Sequence, residues 1–457
     1  MSYLTDDTIC AIATPQGIGG IAVIRVSGRS AHTICDSIFR SSMGKAETAP
    51  GYTILYGDMI AKDGRLLDSV LVSVFREPRS YTGENTVEIS CHGGMTVAKI
   101  LLEELIRAGC RMAMPGEFSK RAFLNGKMDM TQAEGIIDMI HAESETAVFS
   151  AASQMKGRLR KKIEGLREQL LVLSAKILAV LDYPEDDIEP YTGEEFKETI
   201  QTVLDTIDAL LKNAEHGKIV RSGISAAIVG KPNAGKSSLM NSLLEEDRAI
   251  VTHVAGTTRD ILCDYLNIDG VIVKLMDTAG LRETEDLVEG IGVERTREAI
   301  CQSDMILYTV DLSEPLSKED DEIISAIENK PVLVILNKSD LPIKCELSRL
   351  DIFGNKVTVS AKTGEGVQQV FGEISRMMQL DQIKGQDFLL TNIRHIEKLE
   401  KTRESLLRVL SGLEDGIFYD ILSIDLADAL TQLGEISGIE VNKEIVDRIF
   451  DEFCLGK

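Results

Sequence analysis

The sequence lacks any apolar run approaching the ~20 residues that a membrane-spanning helix needs. Its first residues, MSYLTDD, contain no basic stretch leading into an apolar core, so no secretory signal is expected. The eight cysteines include no C-x-x-C pair, and their scatter suggests neither a zinc site nor a disulfide framework. These absences predict a protein of the cytoplasm.

Basic residues are also in short supply. Lysine and arginine number 50 against 73 aspartates and glutamates, which gives a formal net charge of −23. Proteins that bind nucleic acid over a wide face normally carry a basic patch. The densest candidate is 158–162 (RLRKK), and a solvated helix face is the favoured interpretation of it. If RNA is a partner, we do not expect this chain to bind it strongly alone.

The length of 457 residues suggests about three domains at roughly 150 residues each. Residues 1–120 alternate strand-like runs, at 21–26 and 69–75, with an amphipathic helix at 97–108, and predict a compact α/β domain. Beyond residue 121, apolar residues spaced by three and four predict a long helix with one buried stripe. The stripe consists of Leu159, Ile163, Leu166, Leu170, Leu173 and Ile177, and the helix is expected to end at Pro184, with a second helix at about 194–214.

From 219 to about 378 the chain returns to alternating strands and helices, as in a doubly wound, mostly parallel sheet. Helices are expected again at 392–411, 417–434 and 441–453. Because the termini of compact domains commonly lie close together, the economical interpretation is a helical domain split by an inserted nucleotide-binding domain. The predicted fold class is therefore multidomain α/β, with domains at 1–120, 121–218, 219–380 and 381–457.

Three motifs of the predicted inserted domain indicate a nucleotide site. Residues 230–238 (GKPNAGKSS) follow a predicted strand and match the loop whose backbone N–H groups cradle phosphates. Lys236 is expected to reach the β and γ phosphates, and the Ser237 hydroxyl to hold Mg²⁺. In 277–280 (DTAG), Asp277 can support Mg²⁺ indirectly and the Gly280 N–H can meet the γ-phosphate.

The third motif, 337–340 (NKSD), names the base. Asp340 can accept two hydrogen bonds from the N1–H and exocyclic amine of guanine, whereas adenine would leave it unpaired. Lys338 can lie flat along the base, and the loop at 360–362 (SAK) can offer a backbone N–H to the guanine carbonyl. The spacing of the motifs predicts GTP rather than ATP.

Signalling GTPases commonly place a water-orienting glutamine directly after D-x-x-G, and without it either hydrolysis is slow or another group supplies the catalysis. Leu281 occupies that position and cannot orient water. Asn233, inside the phosphate loop, could contribute its amide oxygen to a monovalent cation that supplies positive charge. It could equally be a simple turn residue, and the local chemistry does not separate these readings.

Motifs outside the nucleotide site carry a family resemblance over essentially the whole chain. They are 13–20 (ATPQGIGG), 81–84 (YTGE), 92–94 (HGG), 115–118 (PGEF), 121–125 (RAFLN) and 453–457 (FCLGK). With these motifs the chain resembles the MnmE (TrmE) family of tRNA modification GTPases. The resemblance implies an N-terminal folate-binding domain, a split helical domain and an inserted GTPase domain. It also implies a homodimer formed through the N-terminal domains.

The family resemblance further implies a function. With an FAD-dependent partner, MnmG, in a heterotetrameric or larger complex, a member adds an aminomethyl-type group (carboxymethylaminomethyl class) to C5 of the wobble uridine of certain tRNAs. The one-carbon unit comes from 5-formyl- or methylene-tetrahydrofolate, and tRNA is bound mainly through the complex. Carried over by position, the folate contacts are Arg25, Glu88, Lys127 and Lys457.

The resemblance also assigns the ions and the catalytic groups. Potassium, which stimulates the family's GTPase through G-domain dimerisation, would be held by Asn233, Thr252, Val254 and Thr257, and Mg²⁺ by Ser237 and Thr258. Glu289 would position the attacking water through a further water, with Lys236 as the other catalytic group. The full GTP set is Asn233, Ala234, Gly235, Lys236, Ser237, Ser238, Thr252, Thr257, Thr258, Asp277, Thr278, Ala279, Gly280, Asn337, Lys338, Asp340, Ser360, Ala361 and Lys362.

Three questions stay open at the level of sequence. Cys454 could act as a nucleophile or redox group beside basic residues, or be an inert terminal thiol. A ribosome-assembly GTPase would share the nucleotide motifs, although the flanking motifs and the net acidity count against it. A regulatory switch with slow hydrolysis would be compatible with Leu281.

Overall fold

The computed structural model describes residues 7–15, 17–182, 193–245, 263–277, 297–383, 389–439, 443–451, 453 and 456–457. The chain divides into two compact units. The first unit comprises Met1–Ile140, Gln154–Val203 and Lys401–Lys457, and the second comprises His141–Ser153 and Leu204–Glu400.

The strands are numbered β1 to β13 along the described chain. They are β1 Ile9–Ile12, β2 Ile21–Ser27, β3 Phe39–Arg40, β4 Thr53–Ile60, β5 Leu66–Phe75, β6 Thr86–His92, β7 Arg111–Met112, β8 Ile224–Val229, β9 Cys263–Ile268, β10 Val271–Asp277, β11 Met305–Asp311, β12 Val332–Asn337 and β13 Asn355–Thr358.

The helices are numbered α1 to α15. They are α1 Ala31–Ile38, α2 Met95–Arg107, α3 Glu117–Leu124, α4 Met130–His141, α5 Glu145–Met155, α6 Arg158–Asp182, α7 Gly193–Leu211, α8 Ala214–Ser222, α9 Lys236–Glu245, α10 297–302, α11 Lys318–Ile327, α12 Val367–Met377, α13 Ile393–Glu414, α14 Tyr419–Ser437 and α15 Lys443–Asp451. Short 3₁₀ turns lie at Leu347–Leu350 and Leu380–Gln382.

The first unit contains a seven-stranded sheet in the order β3-β4-β5-β6-β2-β1-β7. Neighbouring strands are antiparallel except for the parallel β1–β7 pair. Alternate residues of β5, such as Val70, Val72 and Val74, are buried in one core with α1 and α2, whereas Leu71 between them is exposed. This period of two is what a sheet with one covered face requires.

The long helix predicted from the apolar stripe is α6, and all six stripe residues are buried. The second helix predicted at about 194–214 is α7, which ends three residues earlier, at Leu211, and a separate helix, α8, begins at Ala214. Asn213, whose side chain favours caps over helix interiors, lies at the break, and its carbonyl accepts the first hydrogen bond of α8 from the Gly217 N–H. Pro184 lies outside the described residues.

The second unit contains a six-stranded sheet in the order β13-β12-β11-β8-β10-β9. All pairs are parallel except β9, which runs antiparallel to β10 at the edge. Helices α9 and α12 contribute to the core on one face, and α10 and α11 contribute to the core on the other. The doubly wound, mostly parallel sheet and the multidomain α/β class are confirmed.

Among the helices that the structure describes, none combines the length and apolarity that crossing a membrane requires.

Candidate nucleotide-binding site

The phosphate loop leaves the carboxyl end of β8, in the middle of the second sheet, and runs into α9 at Lys236. Two glycines give the loop its shape. Gly235 has φ +92°, and a Cβ there would lie 2.3 Å from Asn337 Nδ2, while a Cβ at Gly230 would lie 2.3 Å from the Thr309 carbonyl oxygen. Residues of β11 and β12 therefore leave no room for a Cβ at either glycine. The loop ends at the N-terminus of α9, and a helix N-terminus is a favourable place for an anion.

Lys236 places a positive charge inside this loop. Its Nζ donates to the carbonyl oxygens of Gly230 and Lys231, both at 2.8 Å. Ser237 and Ser238, the next residues of α9, are exposed. A cation in the loop and a hydroxyl at the start of the helix are the groups that a phosphate with a divalent ion requires.

Asn337 joins the phosphate loop to the loop at 360–362. Its side chain is buried, with 2% of the residue exposed. Nδ2 donates to the Ala234 carbonyl oxygen at 2.9 Å, and Oδ1 accepts the Ala361 N–H at 3.0 Å. One amide therefore holds together three segments that are more than 20 residues apart in the sequence.

Asp340 lies beside the loop at 360–362. Its Oδ1 accepts a hydrogen bond of 2.8 Å from the hydroxyl of Ser360, a residue that is completely buried. The Ala361 carbonyl oxygen accepts from the Ser242 hydroxyl of α9 at 2.7 Å. The predicted base-recognition residues Asn337, Lys338, Asp340, Ser360 and Ala361 are therefore brought together, next to the phosphate loop.

Asp311, the last residue of β11, is a member of this site that the sequence reasoning missed. Its Oδ2 accepts from Lys338 Nζ at 2.5 Å, and its Oδ1 accepts from the Ser313 N–H and hydroxyl at 2.8 and 2.6 Å. Burial acts to raise the pKa of Asp311, but these donors outweigh it and lower the pKa from its usual value. The available signal was a carboxylate at the carboxyl end of a parallel strand.

Asp320 is a second missed residue, and it supports the phosphate loop from α11. Its carboxylate accepts from Lys231 Nζ at 2.9 Å, from the Ser317 N–H at 2.7 Å and from the Tyr308 hydroxyl at 3.0 Å. Burial acts to raise the pKa of Asp320, but these donors lower it overall. Since Lys231 is the second residue of the loop, this buried network fixes where the loop begins.

Part of the predicted site lies outside the described residues. This applies to Thr252, Val254, Thr257, Thr258, Thr278, Ala279, Gly280, Leu281 and Glu289, and to Cys454. Asp277 is described as the last backbone position of β10, where a doubly wound sheet places ligand-binding residues.

The residues predicted to contact folate lie in the first unit. Arg25 and Glu88 face each other on β2 and β6, with Arg25 Nε 2.9 Å from Glu88 Oε1. The guanidinium lies over the rings of Tyr81 and Phe118, 5.0 and 5.6 Å from their centroids. The ion pair therefore has aromatic walls, a setting that suits a flat, polar ligand.

The C-terminal tail reaches this ion pair. Arg25 Nη1 donates to the Gly456 carbonyl oxygen at 3.4 Å, and a Cβ on Gly456 would lie 2.4 Å from the Ile12 carbonyl oxygen of β1. Gly456 therefore lies beside Arg25, and Lys457 is the next residue along the chain. Lys127 donates from Nζ to the Pro78 carbonyl oxygen at 2.9 Å and packs next to Gly83.

Comparisons with known proteins agree over both units. A family model described as "GTP-binding protein TrmE N-terminus" matches residues 8–127, and one described as "MnmE helical domain" matches residues 130–454. A protein named tRNA modification GTPase MnmE from Carboxydothermus hydrogenoformans is 42% identical over 461 residues, covering 99% of this chain and 100% of its own.

Two further relatives bear the same name. The protein from Bacillus velezensis is 43% identical over 458 residues, covering 99% of this chain and 100% of its own. The protein from Enterococcus faecalis is 43% identical over 457 residues, covering 99% of this chain and 98% of its own. The likeness therefore extends over nearly the full length of each chain.

Proposed function

The chain belongs to the MnmE family of tRNA modification GTPases, and from this premise we propose that it hydrolyses GTP at the carboxyl edge of its second sheet as a step in tRNA modification. One observation carries the proposal: Asn337 joins the phosphate loop to the loop at 360–362, next to Asp340. This contact supports the proposal that phosphate and guanine recognition lie side by side in one site.

The decisive experiment for this role is nucleoside analysis of tRNA from cells lacking the protein. We expect loss of the aminomethyl-type modification at C5 of the wobble uridine, restored by the wild-type gene and not by Lys236→Ala. An unchanged nucleoside profile would contradict the proposal.

The residues of the phosphate loop have separate roles. Lys236 and the backbone N–H groups from Asn233 to Ser238 bind the phosphates, and Ser237, with Thr258, would hold Mg²⁺. The exposed hydroxyl of Ser237 at the start of α9 fits that role. Bound Mg²⁺ and K⁺ would supply positive charge to the phosphate oxygens in the transition state. The family resemblance gives Glu289 the role of orienting the attacking water, a role that the apolar side chain of Leu281 cannot fill.

A potassium site would be built from Asn233, Thr252, Val254 and Thr257. Asn233 is exposed and has φ +63°, the left-handed backbone conformation that asparagine tolerates better than most residues. An amide oxygen is a good ligand for a hard cation, so the described part of the donor set fits.

We also propose that the chain divides at residues 120, 218 and 380. The first segment would bind folate, the third would hydrolyse GTP, and the second and fourth would form the helical domain.

GTP turnover should be faster in potassium than in sodium at equal ionic strength. We expect a stimulation of about 10-fold or more, which corresponds to lowering the barrier by about 1.4 kcal/mol or more. The matched variant is Asn233→Gly, which removes the amide oxygen but keeps a residue at ease with φ +63°. This variant should bind GDP normally and lose most of the stimulation. Equal rates in the two salts for the wild type would rule out the potassium mechanism.

For the chemistry on tRNA, we propose that a tetrahydrofolate derivative binds in the first unit beside Arg25 and Glu88. Because Arg25 and Glu88 form an ion pair, both would meet the same part of the ligand, where Glu88 would accept from the pterin donors and Arg25 would donate to a neighbouring acceptor. Lys127 and Lys457 suit the carboxylates of the glutamate tail. A homodimer and an FAD-dependent MnmG partner, with tRNA held mainly by the complex, complete this proposal.

Arg25→Met should weaken the binding of 5-formyl-tetrahydrofolate by about 10- to 100-fold, because a charge-assisted hydrogen bond is worth about 1.5–3 kcal/mol. Calorimetry with the full-length protein measures this effect. The matched control is Arg65→Met, which removes an ion pair of similar length between Arg65 and Asp63 in an exposed hairpin. This control variant should bind 5-formyl-tetrahydrofolate as the wild-type protein does. Absence of heat from the wild-type protein would count against the folate site itself.

A further inference from the structure

The ion pair between Asp311 and Lys338 is more constrained than a surface contact. Asp311 is the residue of β11 in register with Asn337 of β12, so it lies next to the start of the NKSD motif. The Leu312 N–H donates to the Asn337 carbonyl oxygen at 3.0 Å, which continues this pairing beyond the strand. The Asp311 carboxylate is therefore attached to backbone that the sheet holds in place, next to the proposed base site.

Both oxygens of Asp311 are occupied. Ser313 donates twice to Oδ1, and Lys338 donates to Oδ2 at 2.5 Å. Asp311 is 4% exposed, so the carboxylate is shielded from solvent on one side and fixed in rotation by Ser313. Because water screens a buried carboxylate less than an exposed one, Asp311 attracts the lysine ammonium group more strongly than a surface carboxylate would.

Lys338 is consequently held at both ends. Its backbone has φ +64°, and the Ser339 N–H beside it donates to the Val359 carbonyl oxygen at 3.1 Å. Its Nζ is held by Asp311, yet 31% of its side chain remains exposed. The four-carbon stem is therefore fixed at both ends, while part of its surface is open to a ligand.

We propose that Asp311 is a positioning residue that pre-orders the stem of Lys338 as the apolar surface on which the guanine base lies. The inference rests on the proposed function, since it assumes that the base of GTP binds at the NKSD motif. A free lysine side chain would have to be immobilised when the base binds, at a cost in conformational entropy. Asp311 removes that cost before the nucleotide arrives.

The test is Asp311→Asn. Asparagine keeps an oxygen that can accept from Ser313, but it lacks the charge that holds Lys338. We expect the dissociation constant of GDP and the KM for GTP to rise about 2- to 10-fold, the effect of one newly immobilised side chain. The kcat should be unchanged, because Asp311 acts on the base and not on the γ-phosphate.

Two controls separate positioning from a structural role. Asp351→Asn breaks an exposed pair with Lys356, also 2.5 Å long, in the same unit and should leave both constants unchanged. In a Lys338→Ala background, Asp311→Asn should have no further effect on KM, because the stem that Asp311 orders is gone. Additive effects of the two substitutions, or wild-type constants in Asp311→Asn, would overturn the inference. A wild-type protein that binds no GDP would instead contradict the proposed function.

Discussion

Replacing Asp340 with asparagine is expected to lower the affinity for GTP by on the order of 10⁴-fold, the discrimination typical of a site built to hydrogen-bond its substrate. The carboxylate accepts from two donors on guanine, and an asparagine amide would turn one acceptor into a donor facing a donor. Asp340 Oδ1 also accepts from Ser360, and the asparagine oxygen can keep that bond. The loop should therefore survive the substitution while base recognition changes.

Xanthosine triphosphate provides the matched rescue. Xanthine carries a carbonyl where guanine carries its exocyclic amine, so the asparagine amide can donate to it while the asparagine oxygen accepts from N1–H. We expect Asp340→Asn to hydrolyse xanthosine triphosphate at a rate near that of wild type with GTP. Displacement of a fluorescent nucleotide measures both affinities. Retention of tight GTP binding by the variant would place the base elsewhere.

The phosphate loop could be predicted from sequence because its determinants are local. A buried strand, a glycine-bounded loop and a helix follow one another directly over residues 224–245, so the pattern can be recognised from neighbouring residues alone. The stripe of α6 was predictable for the same reason, since helix periodicity is written in consecutive residues. Both predictions needed no knowledge of distant partners.

Asp311 and Asp320 could not be predicted in the same way. Lys338 is 27 residues from Asp311, and no spacing rule connects a strand end with a lysine on the next strand. Asp320 caps α11 locally, but its contact with Lys231 depends on how α11 packs on the sheet. In the first unit, Arg25 and Glu88 are 63 residues apart and meet through strand register. All three contacts depend on tertiary structure. Arg25 and Glu88 are indicated as site residues by the family resemblance, and no local sequence pattern points to them.

Gly235→Ala is expected to lower both the stability of the second unit and its affinity for nucleotide. Alanine at φ +92° carries a strain of about 1–2 kcal/mol. Its Cβ would also lie 2.3 Å from Asn337 Nδ2, a distance that no real contact allows. Asn337 must then move away from Ala234 and Ala361, leaving buried polar groups without their partners, at a further cost of about 1–3 kcal/mol.

Gly364→Ala separates the strain from the clash. Gly364 has φ +80°, but a Cβ there would meet nothing within 4 Å. We expect this control to lose only about 1–2 kcal/mol, and to bind GDP nearly as wild type does. Gly235→Ala should lose about twice that stability and at least roughly 100-fold in GDP affinity, because Asn337 no longer joins the two loops. Urea unfolding and nucleotide titration of the pair measure both effects. Equal losses in the two variants would mean that the Asn337 amide does not hold the site together.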